Sequence, residues 1–419
     1  MNISEIKELA RTLFLTGVRA ADPALAVKQS LDADPIECSS HGRLIIIAFG
    51  KAACTMTEQA LQHVPQDKSV DAIAVTNYEN ARDVDGACVL ASGHPLPDQN
   101  GIEAGIEVMR MLDAASQDDT VLCLISGGGS ALLPTPRIGL SLDEKILVSK
   151  ILLSDGLDIS QMNAVRQRLS VLKGGGLSAM AHPAKVRSLI ISDVVGDDIS
   201  AIASGPTAPE MDNFSDIARL LKQRNLWPKL PRAAQILLAE PRTHTSITAD
   251  NRVICSNLQS LQAIADAAPE WSAQIVSNRL VGDVRHAAQK IVAYARSHKS
   301  QAPQLLIWGG ETTVTLTGSG RGGRNQELAV RVAALAAELP GRWVFLSGGT
   351  DGRDGPTDAA GGVVTAGSLA RAQANNLNVI SALHDNDSYR ILDAADGLLI
   401  TGATGTNVAD IQLLLRVQD

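Results

Sequence analysis

The sequence is poor in the residue types that mark several protein classes. Of its 419 residues only 3% are aromatic, so aliphatic side chains must fill its cores. It has five cysteines, scattered and without a CxxC pair, which gives neither a disulfide framework nor a zinc site. The histidines show no HxxxH pair. Because no apolar run approaches the ~18 residues of a membrane span, we expect no membrane segment.

An excess of positive charge is also absent, since the formal net charge is −8. Nucleic-acid surfaces need clustered Lys and Arg, so we expect no nucleic-acid partner, although a local basic pocket can still bind a small anion. The first residues combine an apolar stripe with acids at Glu5 and Glu8, which predicts an amphipathic helix and not a signal peptide. The expected location is therefore cytoplasmic.

One pattern recurs along the chain: a short β-prone run stops at small residues, and a helical stretch follows. It is found at 44–53, 121–133, 187–198, 305–314, 344–355 and 398–407. Short apolar strands alternating with helices predict parallel sheets covered on both faces. We therefore predict an α/β protein with two domains, each a mostly parallel sheet flanked by helices. A proline-containing stretch between about 221 and 246 places the boundary, giving domains 1–235 and 236–419.

Two glycine-rich segments lie after predicted strands, where ligands bind in such sheets. In "ISGGGSALLPTP" the residues are Gly127, Gly128, Gly129 and Ser130, and in "GSGRGGRNQE" they are Gly322, Gly323 and Arg324. Backbone N–H groups in a glycine loop can cradle a phosphate or carboxylate, and an arginine at a helix start can fork onto phosphate oxygens. Neither segment has the GK[ST] of a Walker loop or GxGxxG spacing. A close-packed turn is the alternative for the first.

Lysines provide the other cations. Lys51 follows a strand and a glycine at a predicted helix start, where the helix dipole disfavours a cation, so we expect it to face a ligand and not merely solvent. The segment 161–176 is predicted as one helix with Asn163, Arg166, Ser170 and Lys173 on one face. That face either binds an anion or is solvated. His94, in "SGHPLPDQNG", is either a polar ligand or a turn-stabilising residue.

Four acidic residues follow three predicted strands: Asp193, Glu311, and the pair Asp351 and Asp354. Asp193 could hold Mg²⁺ or accept a hydroxyl proton. Carboxylates at strand ends, glycine loops and separate cations together are typical of phosphoryl transfer. Carboxylate oxygens hold Mg²⁺, amides and cations neutralise phosphates, and one carboxylate orients or deprotonates an alcohol.

Several long segments resemble one family. The segments "SGGGSALLPTP", "LKGGGLS", "SDVVGDDISAIASGPT", "GGETTVTLTGSGRGGRNQELAV", "GTDGRDGPTDAAGG" and "TGATGTNVADI" are similar to the glycerate 2-kinase family with a carboxyl-terminal MOFRL domain, whose members were often labelled hydroxypyruvate reductases. The resemblance covers nearly the whole chain, in order. It implies ATP- and Mg²⁺-dependent phosphorylation of D-glycerate to 2-phosphoglycerate, with the active site in the cleft between two α/β domains. The sequence does not define the oligomeric state, and a homodimer is one assembly compatible with it.

The resemblance also implies site residues. It places catalytic roles on Lys51 and Arg324. Its acidic strand-end positions fall on Asp193, Glu311 and Asp351, and the asparagine of its TGATGTN motif falls on Asn407. We assign catalysis to Lys51, Arg324 and Asp193. Magnesium is assigned to Asp351, Glu311 and Asp354. The nucleotide is assigned to Gly127, Gly128, Gly129, Ser130, Lys173, Gly322, Gly323 and Asn407.

Three other functions are alternatives to glycerate phosphorylation. A kinase for a related small hydroxy acid would use the same residues. An NAD(P)H-dependent hydroxypyruvate reductase would need a strand leading into GxGxxG with an acid ~20 residues later, which the sequence lacks. A non-catalytic nucleotide-binding regulator would need the glycine loops but not Lys51, Arg324 and the acids together.

Overall fold

The computed structural model describes residues 1–209, 217–241, 249–298 and 302–418. The chain divides into two compact units. One, the parallel-sheet unit, is Pro23–Ile254, and the other, the mixed-sheet unit, combines Met1–Asp22 with Cys255–Asp419. This division differs from the single boundary expected at 235, because helix α1 (Ile3–Ala20) buries Ile6 and Phe14 in a core of the mixed-sheet unit.

The parallel-sheet unit contains one sheet and the helices around it. Its strands are β1 (Leu44–Phe49), β2 (Val70–Asn77), β3 (Cys88–Ser92), β4 (Thr120–Ile125), β5 (Lys185–Ile191) and β6 (Asp250–Cys255). Its helices are α2 (Pro23–Ala33), α3 (Ala53–Leu61), α4 (Gln99–Asp113), α5 (Gly129–Leu132), α6 (Leu142–Ser154), α7 (Ile159–Arg168), α8 (Gly176–Ala181), α9 (Ile217–Gln223) and α10 (Arg232–Ala239).

The strands of this unit lie in the order β3-β2-β1-β4-β5-β6, and β1 to β5 pair in parallel. Every residue of β1 and β4 is buried, as expected of strands covered on both faces. The strand order reverses direction between β1 and β4, and open α/β sheets bind ligands at that switch point. The predicted parallel sheet is confirmed here, and with it the two-domain α/β class.

The mixed-sheet unit contains the remaining elements. Besides α1 its helices are α11 (Asn257–Asp266), α12 (Val284–Ser297), α13 (Arg324–Leu335), α14 (Ser368–Ala374), α15 (Val379–His384) and α16 (Ser388–Ala394). Its strands are β7 (Ser272–Ser277), β8 (Gly282–Asp283), β9 (Gln304–Gly310), β10 (Thr312–Thr313), β11 (Arg342–Gly349), β12 (Gly361–Thr365), β13 (Leu398–Leu399) and β14 (Asp410–Val417).

The main sheet of this unit has the order β13-β12-β11-β14-β9-β7 and is mostly antiparallel. Among the described strands of this sheet only β7 and β9 pair in parallel, so the prediction of a mostly parallel sheet is wrong for this unit. Leu306 and Trp308 of β9 pack into one core, whereas Leu305 and Ile307 pack into another on the opposite face. The apolar runs in the sequence therefore indicated strands that are buried on both faces, but they did not indicate whether neighbouring strands are parallel or antiparallel.

The helix predicted over 161–176 is shorter than expected, because α7 ends at Arg168. Ser170 instead bridges to Pro136, and its hydroxyl donates to the carbonyl oxygen of Thr135 at 3.0 Å. Lys173 lies beyond the helix, so the predicted helical face does not form as one surface. Among the helices that the structure describes, none is long and apolar enough to cross a membrane.

Candidate active site

The ends of β1 and β4 pack backbone against backbone at the switch point. The N–H of Lys51 donates to the carbonyl oxygen of Gly127 at 2.9 Å, and the N–H of Ala52 donates to Ser126 Oγ at 3.1 Å. Gly50 has φ +128°, and a Cβ there would overlap the Ser126 side chain. Glycine at this position therefore allows the two strand ends to meet, and it places Lys51 directly beside the triple-glycine loop.

The loop after β4 gathers polar side chains from three other strand ends. A Cβ on Gly127 would overlap the Asp193 carboxylate, and one on Gly128, at φ +86°, would lie 3.2 Å from His94 Nε2 and 3.4 Å from Lys51 Cγ. Parallel strands end at the same edge of a sheet, and these residues follow β1, β3, β4 and β5. The structure thus brings Lys51 and Asp193 together as predicted, and it adds His94.

The third glycine has a different environment. A Cβ on Gly129 would lie 2.8 Å from a ring carbon of Phe49 and 3.1 Å from Cβ of Ala203. The alternative interpretation of this loop, a close-packed turn, therefore applies to Gly129, whereas polar side chains border Gly127 and Gly128.

Burial changes the proton affinity of both acid–base candidates. Burial raises the pKa of Asp193 above its usual value, although the charge of Lys51 acts in the opposite direction. Burial, and then the charge of Lys51, lowers the pKa of His94. Groups whose pKa values are shifted in this way next to a cation are candidates for general acid–base chemistry.

Ser130 accepts two hydrogen bonds from a buried lysine. Lys173 Nζ donates to the carbonyl oxygen of Ser130 at 2.6 Å and to its Oγ at 2.8 Å. Lys173 is only 3% exposed, and burial, followed by the charges of Lys145 and Arg166, lowers its pKa well below the usual lysine value. Lys173, which was predicted to contact the nucleotide, thus holds the glycine loop in place through Ser130.

A cavity of about 280 Å³ adjoins Gly128 and Ser130 and is called the cationic cavity below. Four cationic side chains line it: Lys145, Lys150, Arg166 and Lys173. His94 lies at its border, Pro95, Leu96 and Ile146 form part of an apolar wall, and no carboxylate of the described chain lines it. Arg166 and Lys173 thus share a cavity although the predicted helix does not connect them.

In the mixed-sheet unit, Arg324 is the first residue of α13 and binds two carboxylates. Its Nε and Nη2 donate to the two oxygens of Asp410 at 2.7 and 2.9 Å, and its Nη1 lies 3.0 Å from Glu311 Oε1. Asp410 is 0% exposed and begins β14. The structure thus brings two of the predicted site residues, Arg324 and Glu311, into contact. Sequence reasoning missed Asp410, and the available signal was an acid opening the apolar run "DIQLLL".

The paired charges keep Arg324 ionised. Burial alone would lower its pKa, but the hydrogen bonds and charge of Asp410, with the charge of Glu311, raise that pKa above the usual arginine value. Burial raises the pKa of Asp410, and Arg324 acts in the opposite direction. Arg324 is thus a permanent cation whose orientation is fixed by a buried bidentate pair.

Asp354 caps a helix. Its two carboxylate oxygens accept the N–H groups of Asn325 at 3.1 Å and Gln326 at 2.8 Å, at the start of α13. Burial is the main cause that raises its pKa to about 6. A Cβ on Gly323 would overlap this carboxylate, which gives that glycine a packing reason.

Asp351 has more freedom to bind a ligand. Its Oδ1 accepts the N–H of Arg353 at 3.0 Å, and its Oδ2 has no hydrogen-bond partner among the described residues. A Cβ on Gly349 would lie 3.2 Å from Asp351 Oδ1 and 3.5 Å from Asp410 Oδ1, so the two carboxylates flank that glycine. Within the described part of the chain no three or more His, Cys, Asp or Glu side chains are grouped to hold a metal ion. The three predicted magnesium ligands therefore form no complete cage.

The other predicted nucleotide contacts in this unit have structural partners. A Cβ on Gly322 would overlap the Ser388 hydroxyl, and Asn407 Oδ1 accepts the N–H of Ala409 at 3.1 Å in the turn before β14. Arg321 stacks on the ring of Tyr389, with Cζ 4.5 Å from the ring centroid. A role for Gly322, Gly323 and Asn407 in nucleotide binding stays a prediction.

The doubly wound sheet, with Lys51, Asp193 and a glycine loop at its switch point, is that of an α/β ligand-binding protein. A model of the family described as "Domain of unknown function (DUF4147)" matches residues 9–239, and a model of the MOFRL family matches residues 304–410.

Known relatives align along almost the entire chain. The glycerate 2-kinase of Pyrococcus horikoshii is 35% identical over 98% of this chain and 97% of its own length. An Agrobacterium vitis protein provisionally named hydroxypyruvate reductase is 39% identical over 89% of this chain and 99% of its own. The crystal structure of the Thermotoga maritima glycerate kinase matches with a TM-score of 0.90 and 34% identity, covering 99% of this chain and 100% of that one. The chain therefore belongs to the glycerate kinase family with a MOFRL domain, as the sequence motifs predicted.

Proposed function

We propose that the protein is a glycerate 2-kinase, which transfers the γ-phosphoryl group of ATP to the C2 hydroxyl of D-glycerate. The hydroxyl oxygen forms a bond to the γ-phosphorus, the bond to the β,γ-bridging oxygen breaks, and ADP leaves with the bond electrons. The hydroxyl proton passes to a base of the enzyme. The observation that carries the proposal is the assembly of Lys51, Asp193 and the glycine loop at the switch point of the parallel sheet.

The parallel-sheet unit supplies the acid–base and charge-neutralising groups of this proposal. Asp193, with its pKa raised by burial, accepts the hydroxyl proton. Lys51 offsets the repulsion between the anionic acid and the anionic nucleotide, because its side chain borders the same loop. The N–H groups of Gly127 and Gly128 face phosphate oxygens, and Lys173 keeps the loop in shape through Ser130.

The mixed-sheet unit supplies an arginine and carboxylate oxygens. Arg324, preoriented by Asp410, stabilises the negative charge of the transferring phosphoryl group. The donor set fits Mg²⁺, which prefers carboxylate oxygens and usually binds through one or two of them together with substrate phosphates. Asp351 Oδ2 is the oxygen best placed to bind it, and Glu311 and Asp354 act mainly through their charge. When bound, Mg²⁺ neutralises phosphate oxygens.

The decisive experiment identifies the product. Purified protein is incubated with D-glycerate, ATP and MgCl₂, and the products are followed by phosphorus NMR; the expected signals are those of 2-phosphoglycerate and ADP. A main signal of 3-phosphoglycerate would refute transfer to C2. Absence of any phosphoglycerate would refute the function.

The same protein is tested as a hydroxypyruvate reductase by following NADH oxidation, and we expect none. The turn after β1 reads Gly50-Lys51 in place of the glycine-rich fingerprint that binds a dinucleotide pyrophosphate in sheets of this order.

A further inference from the structure

The cationic cavity collects four basic side chains that no carboxylate of the described chain pairs with. Lys145 is 6% exposed and Lys173 is 3% exposed, and Arg166 and Lys150 lie on the same cavity wall. None of the four has a carboxylate within ion-pair distance among the residues that the structure describes. Buried cations without a counter-ion are costly, so such a set is expected where an anionic ligand completes it.

The four cations have different amounts of hydrogen-bonding capacity left. Lys145 Nζ donates to the carbonyl oxygens of Pro134 and, at 3.4 Å, Leu169, and Lys173 is occupied by Ser130. Those two lysines lie behind the wall, with their Nζ groups bonded within the fold. Arg166 donates through Nη1 to Asn163 Oδ1 at 3.3 Å, which leaves its Nε and Nη2 groups for a ligand, and the exposed ammonium of Lys150 is available as well.

The dimensions favour a small acid over a whole nucleotide. The cationic cavity, at about 280 Å³, has room for a short-chain acid, whereas drug-sized ligands such as a nucleotide occupy pockets of up to about 1,000 Å³. Pro95, Leu96 and Ile146 offer an apolar surface to a short carbon chain. The cavity reaches Gly128, whose neighbours are His94 and Lys51, so an acid held inside it presents its other end to the switch point.

We propose that the cationic cavity binds the carboxylate of the small hydroxy acid, with Arg166 and Lys150 as its direct contacts. The planar guanidinium of Arg166 suits the two oxygens of a carboxylate. This inference rests on the proposed function, because it names the part of the protein that recognises the acid substrate. It makes Arg166 and Lys150 specificity-determining residues.

The test measures binding without turnover. D-Glycerate is titrated by calorimetry into the full-length protein without nucleotide, and ADP with MgCl₂ is titrated separately. The variants are Arg166→Gln and Lys150→Gln, and the matched control is Arg110→Gln, which removes an exposed arginine of α4 paired only with Glu107. Because a hydrogen bond to a charged group is strong, we expect the Kd for D-glycerate to rise about 10- to 100-fold in Arg166→Gln. In Lys150→Gln, whose side chain is exposed, we expect a rise of about threefold or more.

A second ligand isolates the carboxylate. The methyl ester of D-glycerate keeps both hydroxyls and lacks the charge, so wild-type protein should prefer the acid strongly and Arg166→Gln should lose most of that preference. Thermal unfolding of each variant confirms that it folds. Lys150→Gln keeps the proposal testable if Arg166→Gln does not fold, because Lys150 is exposed and its ammonium makes no hydrogen bond or ion pair with the described residues.

The outcomes separate the two proposals. If ADP affinity falls about tenfold in Arg166→Gln and D-glycerate affinity does not change, the cavity holds nucleotide phosphate and this inference is wrong. If both affinities are unchanged in both variants, it is also wrong. If wild-type protein binds D-glycerate through these residues but forms no phosphoglycerate, the inference stands and the proposed kinase function fails. If wild-type protein does not bind D-glycerate, the inference falls.

Discussion

Replacing Arg324 by alanine should affect stability and catalysis through different atoms. The substitution removes both donors from Asp410, a carboxylate with no exposed surface, and leaves it beside the charge of Asp351. Removing one partner of a buried ion pair costs about 3–5 kcal/mol. We expect about 3 kcal/mol, the low end of that range, because the Arg324 side chain is 34% exposed and water can take its place. At about 2–4 °C per kcal/mol, the Tm of the mixed-sheet unit should fall by about 6–12 °C.

The pH dependence of this loss has a definite sign. Burial raises the pKa of Asp410, and without Arg324 that pKa rises further. A carboxyl with a raised folded-state pKa is favourable while protonated, and its contribution is lost as the pH rises through that pKa. The deficit of Arg324→Ala relative to wild type should therefore be smaller at pH 5 than at pH 8, as measured by urea unfolding at both values.

A double variant separates the two effects. Arg324→Ala/Asp410→Asn removes the stranded charge together with the arginine, and we expect it to regain about 1–2 kcal/mol of the loss. Its kcat should nevertheless stay about 10³-fold below wild type, as in the single variant, because the cation for the phosphoryl group is still missing. Recovery of kcat in the double variant would show that Arg324 is only structural. A single variant with unchanged Tm would refute the analysis of the buried pair.

Three further substitutions test the other charged groups. Lys51→Ala should lower kcat at least ~100-fold. Its Tm should be unchanged or slightly raised, since a cation near a helix start is unfavourable. Lys185→Ala is the control, and near-wild-type turnover in Lys51→Ala would refute the role of Lys51. Asp351→Asn should raise the Mg²⁺ concentration for half-maximal rate about tenfold with unfolding unchanged, and an unaltered Mg²⁺ titration would contradict this. Burial, with the charge of Arg166, lowers the pKa of Lys145 to about 7 from its usual 10.5. The unfolded chain therefore binds more protons between those pH values, and the free energy of unfolding should rise with pH there. In urea titrations Lys145→Met should make this rise less steep. An unchanged slope would show that another group causes the pH dependence.

The switch-point residues could be predicted because parallel strands end together. Once the apolar runs before Lys51, Gly127 and Asp193 were identified as strands of one parallel sheet, their carboxyl ends had to lie at one edge. His94 follows a strand of the same sheet, but its strand is short and partly exposed, so the pattern around it was weaker.

Asp410 could not be found by the same rule. It begins β14, and its antiparallel neighbours place it beside Gly349 and Gly310, at the far ends of β11 and β9. In an antiparallel sheet the amino end of one strand meets the carboxyl end of the next, so strand ends alone do not identify one edge. The apolar runs are the same in either sheet type when both faces are covered.

The segment after α7 shows a second limit. Its periodicity continues past Arg168, but the Ser170 hydroxyl and the Val171 N–H, which donates to the Thr135 carbonyl oxygen at 2.9 Å, bond to a distant segment. Local pattern cannot weigh that competing tertiary pairing. The anion-binding alternative for Arg166 and Lys173 could be stated from the sequence, whereas the contribution of Lys145 and Lys150 from α6 needed the fold.

The division of the mixed-sheet unit into two chain segments has a consequence for synthesis. Helix α1 is translated before the rest of its unit, and its partners in the core, such as Leu261 and Leu413, follow it by more than two hundred residues. At about 5–20 residues per second, α1 leaves the ribosome roughly 12 to 50 s before those partners begin to appear. The parallel-sheet unit is continuous and can fold in that interval.

The mixed sheet closes last. Strand β14 follows every other strand in the chain but lies between β11 and β9, in the middle of the sheet. Until it is translated, those two strands have no partner between them, and α1 lacks the part of its core that Ile411, Leu413 and Leu415 supply. Stalled chains that end before residue 410 should therefore show a protease-resistant parallel-sheet unit and a protease-sensitive α1. In the nascent protein, helix α1 therefore has an incomplete core until the central strand of its sheet is made.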